Sequence, residues 1–258
     1  CPSHAISWKG SKIFLKANEI APAAEPEKTK KRRTIVRAVI AVIMALALIG
    51  KNFYRDPAAD MKIIGVTGTN GKTSATLLLK HVLEQTCGAK VGLIGTMENM
   101  IGDVALPTER TTPESLELQE LFAKMRDAGC THVVMEVSSH ALDQRRVAGC
   151  IYEVGVFTNL TQDHLDYHGT MENYALTKMR MFQNMTAEDV AVFNADDPAL
   201  VPYIPMVKAQ VMLFSRKAEV ENGAFAGCKE LSDIYYEGTQ KDYSGITGIS
   251  WCELDYGV

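Results

Sequence analysis

The sequence predicts an α/β fold, a doubly wound and mostly parallel sheet built around a loop that can hold phosphate. Three observations predict it. Apolar runs of strand length alternate with helix-like runs from Met61 to about Phe214. A glycine-rich turn, Gly65-Val66-Thr67-Gly68-Thr69-Asn70-Gly71-Lys72-Thr73-Ser74, joins one such strand to one such helix. Polar and ionisable residues crowd the positions just after the strands. Strands separated by helices pair in parallel through right-handed crossovers, and sheets of this kind bind ligands beyond the carboxyl ends of their strands.

Residues 1–60 are the least regular. Ala21 to Lys31 is rich in Ala, Pro and charge and reads as a linker. From about Arg37 to Tyr54 an apolar run reads as a helix. Its uncharged part, Ala38 to Gly50, is shorter than the roughly 20 residues a bilayer span needs. The basic stretch Lys28 to Arg33 resembles the start of a signal peptide, but no small-residue cleavage site follows. A buried helix packed on the rest of the chain is therefore expected, rather than a membrane segment.

From Met61 the elements follow in turn. Met61 to Val66 is a strand, and Ala75 to Gln85 a helix stopped at Cys87-Gly88. Lys90 to Gly95 is a buried strand, and Thr96 to Thr111 a loop with Gly102 and Pro107. Thr112-Pro113-Glu114 starts a helix with a hydroxyl N-cap and Pro at the first position. Leu118, Leu121, Phe122 and Met125 share its apolar face, and Asp127-Ala128-Gly129 ends it. Thr131 to Val137, Glu153 to Phe157, Val190 to Phe193 and Gln210 to Phe214 are further strands. Beyond Arg216 no period is visible. The expected organisation is a reduced N-terminal segment (1–60), a phosphate-binding domain (61–215) and an irregular tail (216–258).

The formal charge of −4 over 258 residues argues against a nucleic-acid surface, so an anionic ligand must be held by a local site. The six cysteines, Cys1, Cys87, Cys130, Cys150, Cys228 and Cys252, form no CxxC pair. That suits free thiols in a reducing cytosol better than disulfides or a zinc site.

In the glycine-rich turn, backbone N–H groups and a helix N-terminus favour an anion. Lys72 adds a full charge, and the Thr73 hydroxyl can ligate Mg²⁺. The usual pattern has Gly where this chain has Val66, so the loop is a variant that keeps Gly-Lys-Thr. Glu136, at a strand end, either ligates a cation or caps a neighbouring turn. His164 can be a metal ligand, a base or a turn residue; His140 and His168 read as structural. Ser138, Gln144, Arg145 and Arg146 suit an anionic, sugar-like or peptidyl substrate, but from the residues alone the reading as a solvated helix face prevails. Lys178 is, from spacing alone, a helix lysine, exposed or snorkelling. Asn194-Ala195-Asp196-Asp197 reads as a cap or as a contact to a nucleotide base.

With these residues in view, the chain resembles the Mur ligases, and among them the branch that adds the third stem residue of peptidoglycan. The stretches that carry the resemblance are the Gly65 to Thr73 loop, Thr111-Thr112-Pro113, Met135 to Leu142 and Phe157 to Gly169. Tyr174 to Phe182 and Phe193 to Pro198 match more loosely. The resemblance implies an ATP-dependent amide ligase of cell-wall precursor synthesis, cytoplasmic and monomeric, with no nucleic-acid partner. It implies that Gly68, Thr69, Asn70, Gly71, Lys72, Thr73 and Ser74 hold the ATP phosphates and that Asn194 meets adenine. It places one Mg²⁺ on Thr73 and Glu136, and a second on Glu136, His164 and a carbamylated Lys178. Lys72, Glu136, His164 and Lys178 would be the catalytic set. Thr111, Thr112, Ser138, Gln144 and Arg146 would contact a UDP-muramoyl-dipeptide, whose carboxylate is joined to a diamino acid, diaminopimelate or lysine, through an acyl phosphate.

The family has three domains. No Asp-Ser-Arg motif precedes Asp60, and no Asp-Asn-Pro-Arg-type signature of the amine-selecting domain appears. The expectation is an activating core without the acceptor domain, and the alternative a nucleotide-binding relative without turnover.

Overall fold

The computed structural model describes residues 6–9, 12–15, 27–215, 217 and 223–224. The chain divides into two compact units, Cys1–Val39 and Ile40–Val258. In the first, strands β1 (Ile6–Lys9) and β2 (Lys12–Leu15) pair antiparallel, Ile6 opposite Leu15 and Lys9 opposite Lys12. Helix α1 (Glu27–Phe53) begins there and runs into the second unit.

Two expectations are corrected on α1. The predicted linker becomes helical at Glu27, and Ala21 to Pro26 lie outside the described residues. Nor is the helix buried. In the second unit Val42 and Ile49 are 59% and 60% exposed, while Ala47 and Gly50 are covered. Apolar residues occupy every side of this stretch, but its neighbours reach only one strip, where Leu116 and Gln119 meet Gly50. Among the described residues no helix is long and apolar enough to cross a membrane.

The second unit continues with a short 3-10 turn, Pro57–Asp60, then strand β3 (Lys62–Thr67) and helix α2 (Lys72–Cys87). Next come β4 (Val91–Ile94), β5 (Asn99–Ile101), β6 (Val104–Leu106) and helix α3 (Ser115–Asp127). They are followed by β7 (His132–Glu136), α4 (Ser139–Asp143), β8 (Val154–Phe157), α5 (Leu165–His168) and α6 (Met171–Met179). Strands β9 (Val190–Asn194), β10 (Gln210–Phe214) and β11 (Gly223–Ala224) close the set. Apart from residues 217, 223 and 224, the predicted tail lies outside the described residues.

Among the described residues the sheet has nine strands in the order β11-β10-β9-β8-β3-β7-β4-β5-β6. Pairing is parallel except for the antiparallel edge β4-β5-β6. The β5–β6 hairpin corrects the reading of 96–111 as loop throughout. Each strand has only three residues, too few to show alternation. The Gly102-Asp103 turn between paired Ile101 and Val104, with Gly102 at φ 58, is the local signal for it.

Side chains alternate across the pleat. Ile64, Val66, Val91, Leu93 and Val134 pack with Ala75, Leu79 and Leu83 of α2 on one face. On the other, Ile63, Val133 and Met135 join Leu118, Phe122 and Met125 of α3, Tyr174 of α6, Phe157, Phe182 and Phe193. Helices on both faces make the sheet doubly wound, and β3 lies at its middle. From β3 the chain passes over to β4, returns to β7 and then crosses to β8 on the opposite side. The reversal leaves a crevice at the carboxyl end of β3, where the loop begins.

Candidate active site

The sheet register sets what surrounds the loop. Val66 pairs with Glu136 of β7, and Thr67 with Phe157 of β8. Glu136 and Thr158 therefore flank the first loop residues. Gly68 adopts φ 144, and a Cβ there would fall 2.0 Å from Thr158 Oγ1. Gly71, at φ 79, caps α2 in the left-handed region. The Lys72 ammonium folds back on the loop and donates to the carbonyls of Gly68 (3.0 Å) and Thr69 (2.9 Å).

The segment after β8 grips this loop through residues to which the sequence reading gave no role. Asn159 Oδ1 accepts from the Asn70 N–H (2.9 Å), and its Nδ2 donates to the Asn70 carbonyl (3.0 Å). The Thr158 hydroxyl donates to the same carbonyl (2.7 Å), and the Thr161 N–H donates to Thr69 Oγ1 (3.0 Å). Asn194 supports the grip from behind. Its Nδ2 donates to the Thr158 carbonyl (3.1 Å), and its Oδ1 accepts from the Asp196 N–H (3.0 Å). The capping geometry is thus the one Asn194 adopts here.

Glu136 is 1% exposed. Its Oε1 accepts from the Thr73 hydroxyl (2.9 Å) and the Thr96 N–H (2.8 Å), and its Oε2 from the Thr96 hydroxyl (3.1 Å). The cap reading is realised at Thr96, while the same carboxylate meets the loop hydroxyl. Among the described residues no three His, Cys, Asp or Glu side chains gather as a ready cation cage. A Thr hydroxyl and a carboxylate in contact at a helix N-terminus nevertheless fit Mg²⁺. That ion takes oxygen donors and draws its remaining ligands from water and phosphate.

Thr170 caps α6, accepting from the Asn173 N–H (3.1 Å), and the helix turns Lys178 inward. Lys178 is 1% exposed, which corrects the expectation of a surface lysine. Its Nζ donates to the Gly68 carbonyl at 2.7 Å and lies 4.6 Å from the Tyr174 ring centroid. Burial, and then the Lys72 charge, lower its pKa to about 7, against the pull of Asp163. Burial also lowers Lys72, opposed by Glu136 and Asp163.

His164 sits at φ 51, a left-handed conformation seldom taken by a non-glycine residue. The His140 ring stands edge-on to it at 4.8 Å, so His140, read as structural, faces the candidate metal ligand. His168 is buried with Nε2 3.0 Å from Ser139 Oγ.

Thr112 does not cap α3; Glu114 takes that position without a side-chain bond. Its hydroxyl is drawn instead to the Glu136 carbonyl (2.9 Å) and accepts from the Ser138 N–H (3.1 Å). Ser138 caps α4 through the Ala141 N–H (3.2 Å). Arg146 donates to the Thr112 carbonyl (3.2 Å) and to Gln144 Oε1 (2.5 Å), and pairs with Glu114 (3.2 Å). These side chains are tied to one another, unlike those of a freely solvated helix face. Lys72, Lys178 and His164 line a cavity of about 510 Å³ together with Thr111, Ser138 and Arg146. Glu136, Gln144 and Asn194 lie outside its lining.

Residues 66–246 match the family model described as the Mur ligase middle domain. The chain belongs to the Mur ligase family. Among curated Mur ligases it is 48% identical over 189 residues to the UDP-N-acetylmuramoyl-L-alanyl-D-glutamate--2,6-diaminopimelate ligase of Caldanaerobacter subterraneus subsp. tengcongensis. That match covers 73% of this chain and 38% of the relative. It is 52% identical over 224 residues to the enzyme of the same name from Clostridium tetani, covering 81% and 45%. The chain thus spans less than half the length of these relatives. A solved structure of a ligase of that name aligns at TM-score 0.57 and 32% identity, over 67% of this chain and 37% of the other. A Mycobacterium tuberculosis folylpolyglutamate synthase, 17% identical at TM-score 0.52 over 66% and 47%, shares the fold.

Proposed function

We propose that this chain carries the carboxylate-activating site of an ATP-dependent amide ligase of peptidoglycan precursor synthesis. The substrate is UDP-N-acetylmuramoyl-L-alanyl-D-glutamate, and the incoming amine is diaminopimelate, the amino acid in the names of the relatives above. The observation that carries the reading is the pair of ammonium groups, Lys72 and Lys178, on the Gly68 carbonyl. They stand at a phosphate loop whose Thr73 hydroxyl is held by a buried carboxylate.

In this reading Gly68 to Ser74 hold the ATP phosphates and Asn194 meets the adenine. Thr73 and Glu136 hold one Mg²⁺; His164 and carbamylated Lys178 join Glu136 at a second. When bound, Mg²⁺ offsets the charge on the phosphate oxygens. A lysine with pKa about 7 is about half neutral at neutral pH, where an ordinary lysine is almost wholly charged, and the neutral amine is the form that adds carbon dioxide. Thr111, Thr112, Ser138, Gln144 and Arg146 meet the UDP-muramoyl-dipeptide.

The substrate carboxylate oxygen attacks the γ-phosphorus while the bond to ADP breaks. Lys72 turns from the loop carbonyls to the transferred phosphoryl group, stabilising its charge. The amine then attacks the acyl carbon, phosphate leaves, and a proton is released as the amide forms. Residues 61–215 make up the ATP-binding region, with 1–60 and 216–258 flanking it. We place the chain in the cytoplasm as a monomer; the free thiols of Cys87, Cys130 and Cys150 support a reducing compartment.

The test is phosphate release by the full chain with ATP, Mg²⁺, UDP-muramoyl-dipeptide and diaminopimelate. Release that requires the dipeptide and disappears in Lys72→Ala is expected. Nucleotide binding with no release at any dipeptide concentration would replace this reading with nucleotide binding without turnover.

A further inference from the structure

Thr96 follows β4 by two residues and makes contacts that no role above uses. Its N–H donates to Glu136 Oε1 at 2.8 Å. Its hydroxyl is 3.1 Å from Glu136 Oε2 and 3.0 Å from Thr111 Oγ1. A threonine hydroxyl has one proton to give, so it donates to the carboxylate or to Thr111, one at a time. The residue before it leaves room for this arrangement: a Cβ on Gly95 would fall 2.8 Å from Glu136 Oε1. Thr96 and Thr111 both line the cavity, whereas Glu136 does not. The hydroxyl pair therefore joins the buried carboxylate to the cavity wall.

We infer that Thr96 is a positioning residue that couples a cation at Glu136 to the substrate loop at Thr111–Thr112. With Glu136 free of a cation, the Thr96 proton is held by carboxylate charge. A divalent cation held by the Glu136 carboxylate would compete for that charge, and the Thr96 proton would then be free to turn to Thr111 Oγ1, 3.0 Å away, fixing that hydroxyl toward the cavity. Thr112, next in the chain, is tied to the Glu136 backbone carbonyl, so the loop has a fixed anchor against which Thr111 can be set. The inference rests on the proposed function for the identity of the ligands.

The test uses the full chain and calorimetry. Affinity for UDP-muramoyl-dipeptide is measured with ADP present, at zero and at saturating Mg²⁺. Wild type is expected to gain affinity with Mg²⁺, on the order of fivefold. Thr96→Val should reduce that gain to near unity, Thr96→Ser should restore it, and Thr96→Val with Thr111→Val should be no worse than either alone. Melting temperatures separate a folding defect from a coupling defect. Full coupling in a folded Thr96→Val, or none in Thr96→Ser, overturns the inference and leaves the proposed function standing. Failure of the wild type to bind either ligand overturns both.

Discussion

Lys72 and Lys178 donate to one backbone oxygen, the Gly68 carbonyl, from two different helices at 3.0 and 2.7 Å. Lys72 comes from the first turn of α2 and Lys178 from the last turn of α6. Two ammonium groups on one acceptor repel each other and are drawn toward anions. The arrangement holds Lys178 near the midpoint between charged and neutral at pH 7.

The first prediction concerns pH. The folded pKa of Lys178 is lowered to about 7 from an ordinary value of 10.5. Between those values the unfolded chain holds a proton that the folded chain has released. Wild-type stability therefore rises with pH in this window relative to Lys178→Met, by up to about 1.4 kcal/mol per pH unit. Below pH 7 the difference should be flat. Urea denaturation of both proteins from pH 6 to 9, in bicarbonate-free buffer, reads the slope. A difference that stays level or falls above pH 7 contradicts the assignment.

Two glycines of the loop should behave differently. Gly68→Ala places a Cβ 2.0 Å from Thr158 Oγ1 and 3.2 Å from the Asn159 backbone, so the loop must move. ADP affinity should drop by about tenfold or more, equivalent to ~1.4 kcal/mol. At Gly71 nothing lies within 4 Å, and only the left-handed φ of 79 opposes a side chain. Gly71→Ala should cost about 1 kcal/mol of stability and change ADP affinity less than Gly68→Ala does. Equal losses of affinity would mean that the Thr158 contact does not shape the loop.

Asn159 should matter as a brace rather than through contact with ligand. Asn159→Ala removes an acceptor for the Asn70 N–H and a donor to its carbonyl, with an expected loss of about 1–3 kcal/mol. Hydrogen exchange at the Asn70 amide should accelerate while exchange in β3 stays slow. Unchanged protection at Asn70 would remove the brace.

The order of strands and helices was legible because β3, β7 and β8 carry apolar residues on both faces, as buried parallel strands do. The same rule of looking beyond strand ends located Thr67 to Thr73, Glu136, Thr158 to His164 and Asn194. Applied also to β4, it leads to Gly95-Thr96, which the reading passed over as the opening of a loop. Thr112 looked like a helix cap because Thr-Pro-Glu is a good start signal. Only the proximity of Glu136 and Ser138 shows where its hydroxyl goes. Lys178 carries no local mark; its burial arises because α6 packs beneath the phosphate loop, a tertiary fact. The apolar composition of α1 called for burial, whereas burial depends on which neighbours reach each side.

The proposed function requires this site to pass a phosphoryl group to a carboxylate. It is tested most directly with UDP-muramoyl-dipeptide carrying oxygen-18 in its glutamyl carboxylates, incubated with the full chain, ATP, Mg²⁺ and diaminopimelate. The mass of the released phosphate is then read. Attack by the carboxylate predicts one heavy oxygen carried into phosphate. Phosphate bearing only light oxygen would mean that water, not the substrate carboxylate, is the nucleophile, and would exclude an acyl phosphate.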